Sequence, residues 1–158
     1  MCGIVGFWQN HQVASPERLK SMNDAIFHRG PDAEGTYIED TLALGHRRLS
    51  ILDLSEHANQ PFHSPCGNYI LVYNGEIFNF QEFYPELKSK GYLFKTTSDT
   101  EVLLFLLMEY GFDVLSRLNG FFAFAFWDKT KKQLSLVRDR FGVKPLFYHQ
   151  NDMGFSSG

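Results

Sequence analysis

Cysteine is scarce in this chain: two residues in 158, Cys2 and Cys66, cannot build a disulfide framework, and a reducing, cytoplasmic setting is expected. No apolar run approaches the ~18–20 residues of a membrane span. The longest, Phe121 to Trp127, has the length of a strand. Gln9, Asn10, His11 and Gln12 interrupt any apolar signal-peptide core. A basic stripe is also missing: the net charge is −3, and Lys129, Lys131 and Lys132 read as a polar hairpin tip. No nucleic-acid partner and no membrane partner is therefore expected. The six histidines show no metal spacing, so no metal site is expected. No glycine-rich phosphate loop, internal repeat, linker or low-complexity tract is present.

Wide aromatic side chains are plentiful, with 16 Phe and 7 Tyr, and 44% of the residues are hydrophobic. Such a core suits broad flat elements stacked face to face. Strands are expected over Cys2–Trp8, Thr41–Arg47, Tyr69–Tyr73, Phe121–Trp127 and Leu134–Arg138. Ser15-Pro16 starts a helix with Ser as N-cap and Pro in the first turn. Leu19, Met22 and Ile26 mark its buried face, and His28-Arg29-Gly30-Pro31-Asp32 stops it. Ser98-Asp99-Thr100-Glu101 has capping-box spacing ahead of a buried helix over Val102–Tyr110, closed by Gly111. A shorter helix is expected over Phe112–Leu118, and Pro85 should divide the helical stretch Asn79–Lys90. FFAFAFW is apolar at consecutive positions and should bury both faces. The order of elements lacks a regular βαβ alternation, which favours two packed sheets covered outside by helices. The expected fold is thus α+β, a four-layer αββα sandwich in a single domain over 1–158.

Cys2 becomes the first residue if Met1 is removed, and would then carry a thiol nucleophile and a free amine of pKa ~8 in one residue. Asn74-Gly75-Glu76, expected at the end of the strand YILVY, can aim an amide and a backbone N–H at a developing oxyanion. Taken alone, Asn-Gly is equally a hairpin turn. His46-Arg47-Arg48-Leu49-Ser50-Ile51 offers guanidinium groups near a strand end for a carboxylate. Asp99 could pair with an ammonium or simply complement the helix dipole. Should the amine be blocked, His28 and His46 are the next bases to consider. Cys66 reads as an inert loop thiol.

Together these motifs are more specific than any one of them. CGIVG at the terminus, RGPD at 29–32, RRLSI at 47–51, NGEIFN at 74–79, SDTE at 98–101, LNGFFAFA at 118–125 and RDRFGVKPLFY at 138–148 follow in order. The series resembles the N-terminal glutaminase domain of glutamine-hydrolysing asparagine synthetases, class II amidotransferases with the N-terminal nucleophile hydrolase fold. The resemblance covers essentially the whole chain. It implies Cys2 as nucleophile and Asn74 with Gly75 as oxyanion hole. It implies that Arg48 grips the α-carboxylate of L-glutamine, with Leu49, Ser50, Ile51 and Leu52 lining that pocket and Glu76 and Asp99 around the α-ammonium. Asp139 and Arg140 are expected to form a structural ion pair.

The implied reaction hydrolyses glutamine to glutamate and ammonia through a Cys2 thioester, with ammonia passed to a synthetase domain or subunit. No cofactor is expected here; ATP and magnesium would serve the synthetase domain, whose Ser-Gly-Gly-x-Asp-Ser loop does not occur in these residues. Relatives continue through a Ser-Glu-x-Lys segment where Gly158 stands, so the domain is expected to be truncated at its C-terminal end. A homodimer is compatible with the resemblance. Two readings stay open: an active glutaminase, or a silent glutamine-binding or assembly module through truncation or a retained Met1.

Overall fold

The computed structural model describes residues 2–50, 55–152 and 154–158. Among the described residues nine strands form two sheets. β1 (Gly3–Gln9), β2 (Ala33–Glu39), β3 (Leu42–Arg48), β8 (Tyr148–Asn151) and β9 (Gly154–Ser157) make a five-stranded sheet in the order β2-β3-β1-β9-β8. β4 (Phe62–His63), β5 (Tyr69–Ile77), β6 (Gly120–Asp128) and β7 (Gln133–Arg138) make the second, in sequence order. Every pairing among them is antiparallel.

Three apolar clusters stack through the molecule. The middle one lies between the sheets and contains Ile4, Leu42, Leu44, Ile70, Val72, Ala123, Ala125 and Trp127. One outer cluster packs Val5, Phe7 and Ala43 against Ala14 and Leu19, beneath α1 (Pro16–Ala25). The other packs Leu71, Tyr73, Phe122, Phe124 and Phe126 against α3 (Asp99–Tyr110) and the shorter α2 (Tyr84–Ser89). The consecutive apolar run in β6 is thereby explained: Phe122, Phe124 and Phe126 face α3, while Ala123, Ala125 and Trp127 face the opposite sheet. The four-layer αββα sandwich is the architecture expected from the sequence.

Local signals act as anticipated at most helix ends. Ser15 Oγ accepts from Arg18 N at 3.1 Å, a cap worth about 1 kcal/mol, and Leu19 is fully buried. Pro85 falls in the first turn of α2, directly after a 3-10 turn over Phe80–Phe83, so the stretch divides there. Phe112–Leu118 is a 3-10 segment, Gly111–Arg117. Lys129, Lys131 and Lys132 occupy the β6–β7 turn.

Three expectations are corrected. The strand YILVY does not end before Asn74: β5 continues to Ile77, paired along its whole length with β6. Gly75 permits this, because a Cβ there would stand 2.5 Å from Phe121 O and 2.8 Å from Phe122 Cα. The capping box is half made. Ser98 Oγ accepts from Glu101 N at 3.4 Å, but the Glu101 carboxylate takes the N–H groups of Lys95 and Thr96 instead of closing on Ser98. Among the described residues Asp139 and Arg140 form no ion pair. Asp139 accepts from the backbone of Phe122, Phe141, Val143 and Lys144, which holds its carboxyl below the ordinary range despite the opposing effect of burial, while Arg140 reaches Ser116 O. A carboxylate surrounded by backbone N–H groups organises the loop after β7 without a cation.

Candidate functional site

The inter-sheet face turns polar at one end of the sandwich. Along β3 it reads Leu42, Leu44, His46, Arg48; along β5 it reads Ile70, Val72, Asn74, Glu76. β1 runs antiparallel to β3 with Gly3 opposite Arg47, so Cys2 follows Ile4 onto this face opposite Arg48. Three strands thus bring Cys2, Arg48 and Asn74 to one place through the period of two that elsewhere builds the core.

A cavity of about 160 Å³ opens there, lined among others by Cys2, Arg48, Leu49, Asn74, Gly75, Glu76 and Asp99. That is on the scale of the ~150 Å³ cavities that admit one small organic molecule. Asp99 enters from the first turn of α3, on the far side of β5. Ser50 is not among the lining residues: its N–H donates to Asp32 Oδ2 at 2.8 Å, tying the RGPD motif to the segment after β3. Ile51 and Leu52 lie outside the described residues, as does Met1.

The Cys2 thiol is half-buried and meets the backbone of Leu49, with Sγ 3.4 Å from its N and 3.7 Å from its O. Arg48 is buried at 6% exposure, and its Nη1 donates to Ser55 O at 2.9 Å and Asn59 Oδ1 at 2.7 Å, which orients the guanidinium plane. Asp99, at 5% exposure, accepts from Tyr73 Oη at 2.7 Å and from Ile77 N at 2.9 Å. Burial raises its carboxyl above the ordinary range. The bonds from Tyr73, Ile77 and Thr100 pull the other way, and Glu76 adds a further upward push. Tyr73 is held fully protonated, by burial first and then by the Asp99 charge. Glu76 is exposed at the rim.

His46 is no base. It is buried to 1% exposure with Nε2 3.2 Å from Tyr73 O, and burial depresses its pKa to about 3. Sequence reasoning passed over Ala58, Gln60, Tyr73, Ser98, Thr100 and Lys144, which also line the cavity. Lys144 sits in a motif that the resemblance already marked; the strand alternation gives no signal for Gln60, which reaches the site from a loop. Cys66 is exposed and far along the loop before β5, with Ser64 Oγ 3.3 Å away. Among the described residues no group of three or more His, Cys, Asp or Glu side chains could hold a metal, and no helix is long and apolar enough to cross a membrane.

The two-sheet fold is shared with a solved amidotransferase structure. A glutamine phosphoribosylpyrophosphate amidotransferase from Bacillus subtilis, complexed with ADP and GMP, superposes with a TM-score of 0.81 at 21% identity, over 99% of this chain and 41% of that one. The fold is therefore that of N-terminal nucleophile amidotransferases. The chain belongs to the glutamine amidotransferase domain family, whose pattern matches residues 1–158. It is 44% identical to asparagine synthetase [glutamine-hydrolyzing] 1 of Bacillus subtilis, over 94% of this chain and 24% of that protein. It is 42% identical to a putative asparagine synthetase [glutamine-hydrolyzing] 2 of Methanocaldococcus jannaschii, over 99% and 34%. A third relative, the amidase chry2 of Gibberella zeae, is 43% identical over 87% and 21%. The chain spans about a quarter of the length of the first of these relatives.

Proposed function

We propose that this domain carries out the glutaminase half-reaction of an asparagine-synthetase-like enzyme. The observation that carries the reading is the single cavity that gathers a thiol, a buried guanidinium, a buried carboxyl and a strand edge around one small volume. Glutamine presents a carboxylate and an ammonium at one end and a carboxamide at the other. Arg48 suits the first and Asp99, with Glu76 at the rim, the second; both ends then point the carboxamide at Cys2.

Cys2 Sγ attacks the carboxamide carbon, and the oxygen takes up negative charge. Asn74, through its side-chain amide, and Gly75, through its N–H, stabilise that oxygen. The pattern of β5 supports the second donor. Odd-numbered residues present N–H toward the edge that β4 leaves: Tyr73 N meets Gln60 Oε1 at 2.6 Å and Ile77 N meets Asp99 Oδ2. Gly75 lies between them and faces the cavity. Collapse of the intermediate breaks the C–N bond, and the departing nitrogen leaves as ammonia after gaining a proton. The remaining glutamyl thioester is hydrolysed by water to glutamate, restoring the thiol. The α-amine of Cys2, once Met1 is removed, is the base that moves these protons.

No cofactor is needed for this hydrolysis. The ammonia serves an ATP-dependent amidation in a synthetase domain or partner, to which ATP and magnesium belong. The test is ammonia release from L-glutamine by purified protein, with and without iodoacetamide. Release that alkylation abolishes supports the reading. Glutamine binding without ammonia release, in protein verified to start at Cys2, would make the domain a silent binding module.

A further inference from the structure

The hydrogen-bond ladder on the outer edge of β5 is completed by a side chain. β4 pairs with β5 at Phe62↔Leu71 and His63↔Ile70. Continued by two positions, that register sets Gln60 opposite Tyr73, yet there the backbone ladder gives way to the Gln60 amide. Gln60 Oε1 accepts from Tyr73 N at 2.6 Å, and its Nε2 donates to Tyr73 O at 3.1 Å. Both ends of one amide thus reproduce what a strand residue would supply. The Tyr73 carbonyl also meets His46 Nε2 from the opposite sheet.

Gln60 is itself held from behind. It is buried at 7% exposure, and its carbonyl packs where β2 has no side chain: a Cβ on Gly35 would stand 1.9 Å from Gln60 O. A second backbone strand carried further along β5 would consume the next N–H on this edge, that of Gly75. A side-chain amide stops after one residue and leaves that N–H to the cavity.

We infer that Gln60 is a positioning residue, which clamps both backbone groups of Tyr73 and so holds the Asn74-Gly75 oxyanion donors in place while keeping the Gly75 N–H unpaired. The inference rests on the glutaminase reading above. Gln60 acts through the strand, so its effect falls on the transition state more than on the ground-state pocket.

The experiment compares the whole chain with Gln60→Leu and Gln60→Glu. Four quantities are measured: kcat and KM for glutamine, inhibition by glutamate γ-semialdehyde, and the rate of Cys2 alkylation by iodoacetamide. The aldehyde carbon bonds the Cys2 sulfur and its oxygen takes the proton or negative charge, so its affinity reports the oxyanion donors. Gln60→Leu should lower kcat by about tenfold or more and weaken the aldehyde by a similar factor, since one oxyanion donor is typically worth ~10²–10³ and here both are displaced without being removed. KM and the alkylation rate should stay close to the parent's. Gln60→Glu keeps the acceptor for Tyr73 N and loses the donor to Tyr73 O at neutral pH. Its kcat, relative to the parent, should recover as pH falls and the introduced carboxyl gains a proton to donate. An unchanged kcat and aldehyde affinity in Gln60→Leu overturns the inference and leaves the glutaminase reading standing. If Gln60→Leu does not fold, a kcat ratio for Gln60→Glu that is flat with pH overturns it equally. A parent that releases no ammonia defeats the glutaminase reading, and this inference with it.

Discussion

Tyr73 Oη donates to Asp99 Oδ2 at 2.7 Å, joining the middle of β5 to the first turn of α3 across the floor of the cavity. The phenol cannot ionise there, so it is a permanent donor to Asp99. Desolvation nevertheless lifts the Asp99 carboxyl above its usual range, because its bond from Tyr73 and those from backbone N–H groups do not repay the full cost of burying the charge. An arriving ammonium would supply what is missing.

The pH dependence follows from that sign. In the free protein the folded state holds the Asp99 proton more tightly than the unfolded chain does. Its contribution to stability is therefore greatest at low pH and declines as pH rises through the raised value. Glutamine binding runs the other way, since the ammonium needs the charged form. KM for glutamine is expected to rise as pH falls through a window above the ordinary Asp range, and Asp99→Asn should raise KM while flattening that rise. A pH series of KM for both proteins checks this. A parent profile that is flat in that window removes Asp99 from the ammonium site.

Arg48 is expected to serve binding more than turnover. Arg48→Lys keeps a cation but loses the planar fork that Ser55 O and Asn59 Oδ1 orient. A charge-assisted bond is worth ~1.5–3 kcal/mol, so KM should rise about 10- to 100-fold with a smaller change in kcat. Steady-state kinetics across a wide glutamine range separates the two parameters. An equal KM would assign the carboxylate to another group.

Asn74→Ala should behave oppositely, lowering kcat about 10²–10³-fold with little change in KM, if its amide meets the oxyanion. Gly75→Ala tests the neighbouring position through packing. The added methyl meets backbone of β6 rather than a movable side chain, with Phe121 O at 2.5 Å. The two strands must separate at the end that carries the site. We expect a lower melting temperature, a stability loss of about 1–3 kcal/mol, and a fall in kcat beyond what the stability change explains. Calorimetry paired with kinetics distinguishes this from a uniform loss of folded protein.

Retention of Met1 should silence the domain without unfolding it. An acylated Cys2 nitrogen is no base near neutral pH, so the thiol would lose the group that takes its proton. Samples sorted by intact mass should divide into active chains that start at Cys2 and inactive chains that carry Met1. His46 cannot substitute, since it stays neutral down to a pH of about 3 and its Nε2 is engaged with Tyr73 O. Comparable turnover by Met1-bearing protein would refute the free-amine mechanism and direct attention to His28, which lines a cavity together with Gly3 at the start of β1.

Features governed by short-range chemistry are legible in the residues alone. Ser15-Pro16 and Ser98 set helix starts because a cap needs only its own next three residues. The unbroken apolar run of β6 announced a strand buried on both faces, and the two sheets with outer helices followed from it. Cys2, Arg48, Asn74, Gly75, Glu76 and Asp99 were legible as a set through the family resemblance, and the cavity contains all six. Strands β2, β4, β8 and β9 were not legible, being short or alternating beside polar loops, and they are strands only because a neighbour offers an edge. Nor could the sequence tell that Asn74-Gly75 lies inside a strand. In isolation that dipeptide favours a turn; nine residues of β6 pairing alongside outweigh the preference. Gln60 belongs to the same class. Its placement depends on Gly35 of one sheet, which admits its backbone carbonyl, and Tyr73 of the other, which meets its side-chain amide, a juxtaposition that no local pattern encodes.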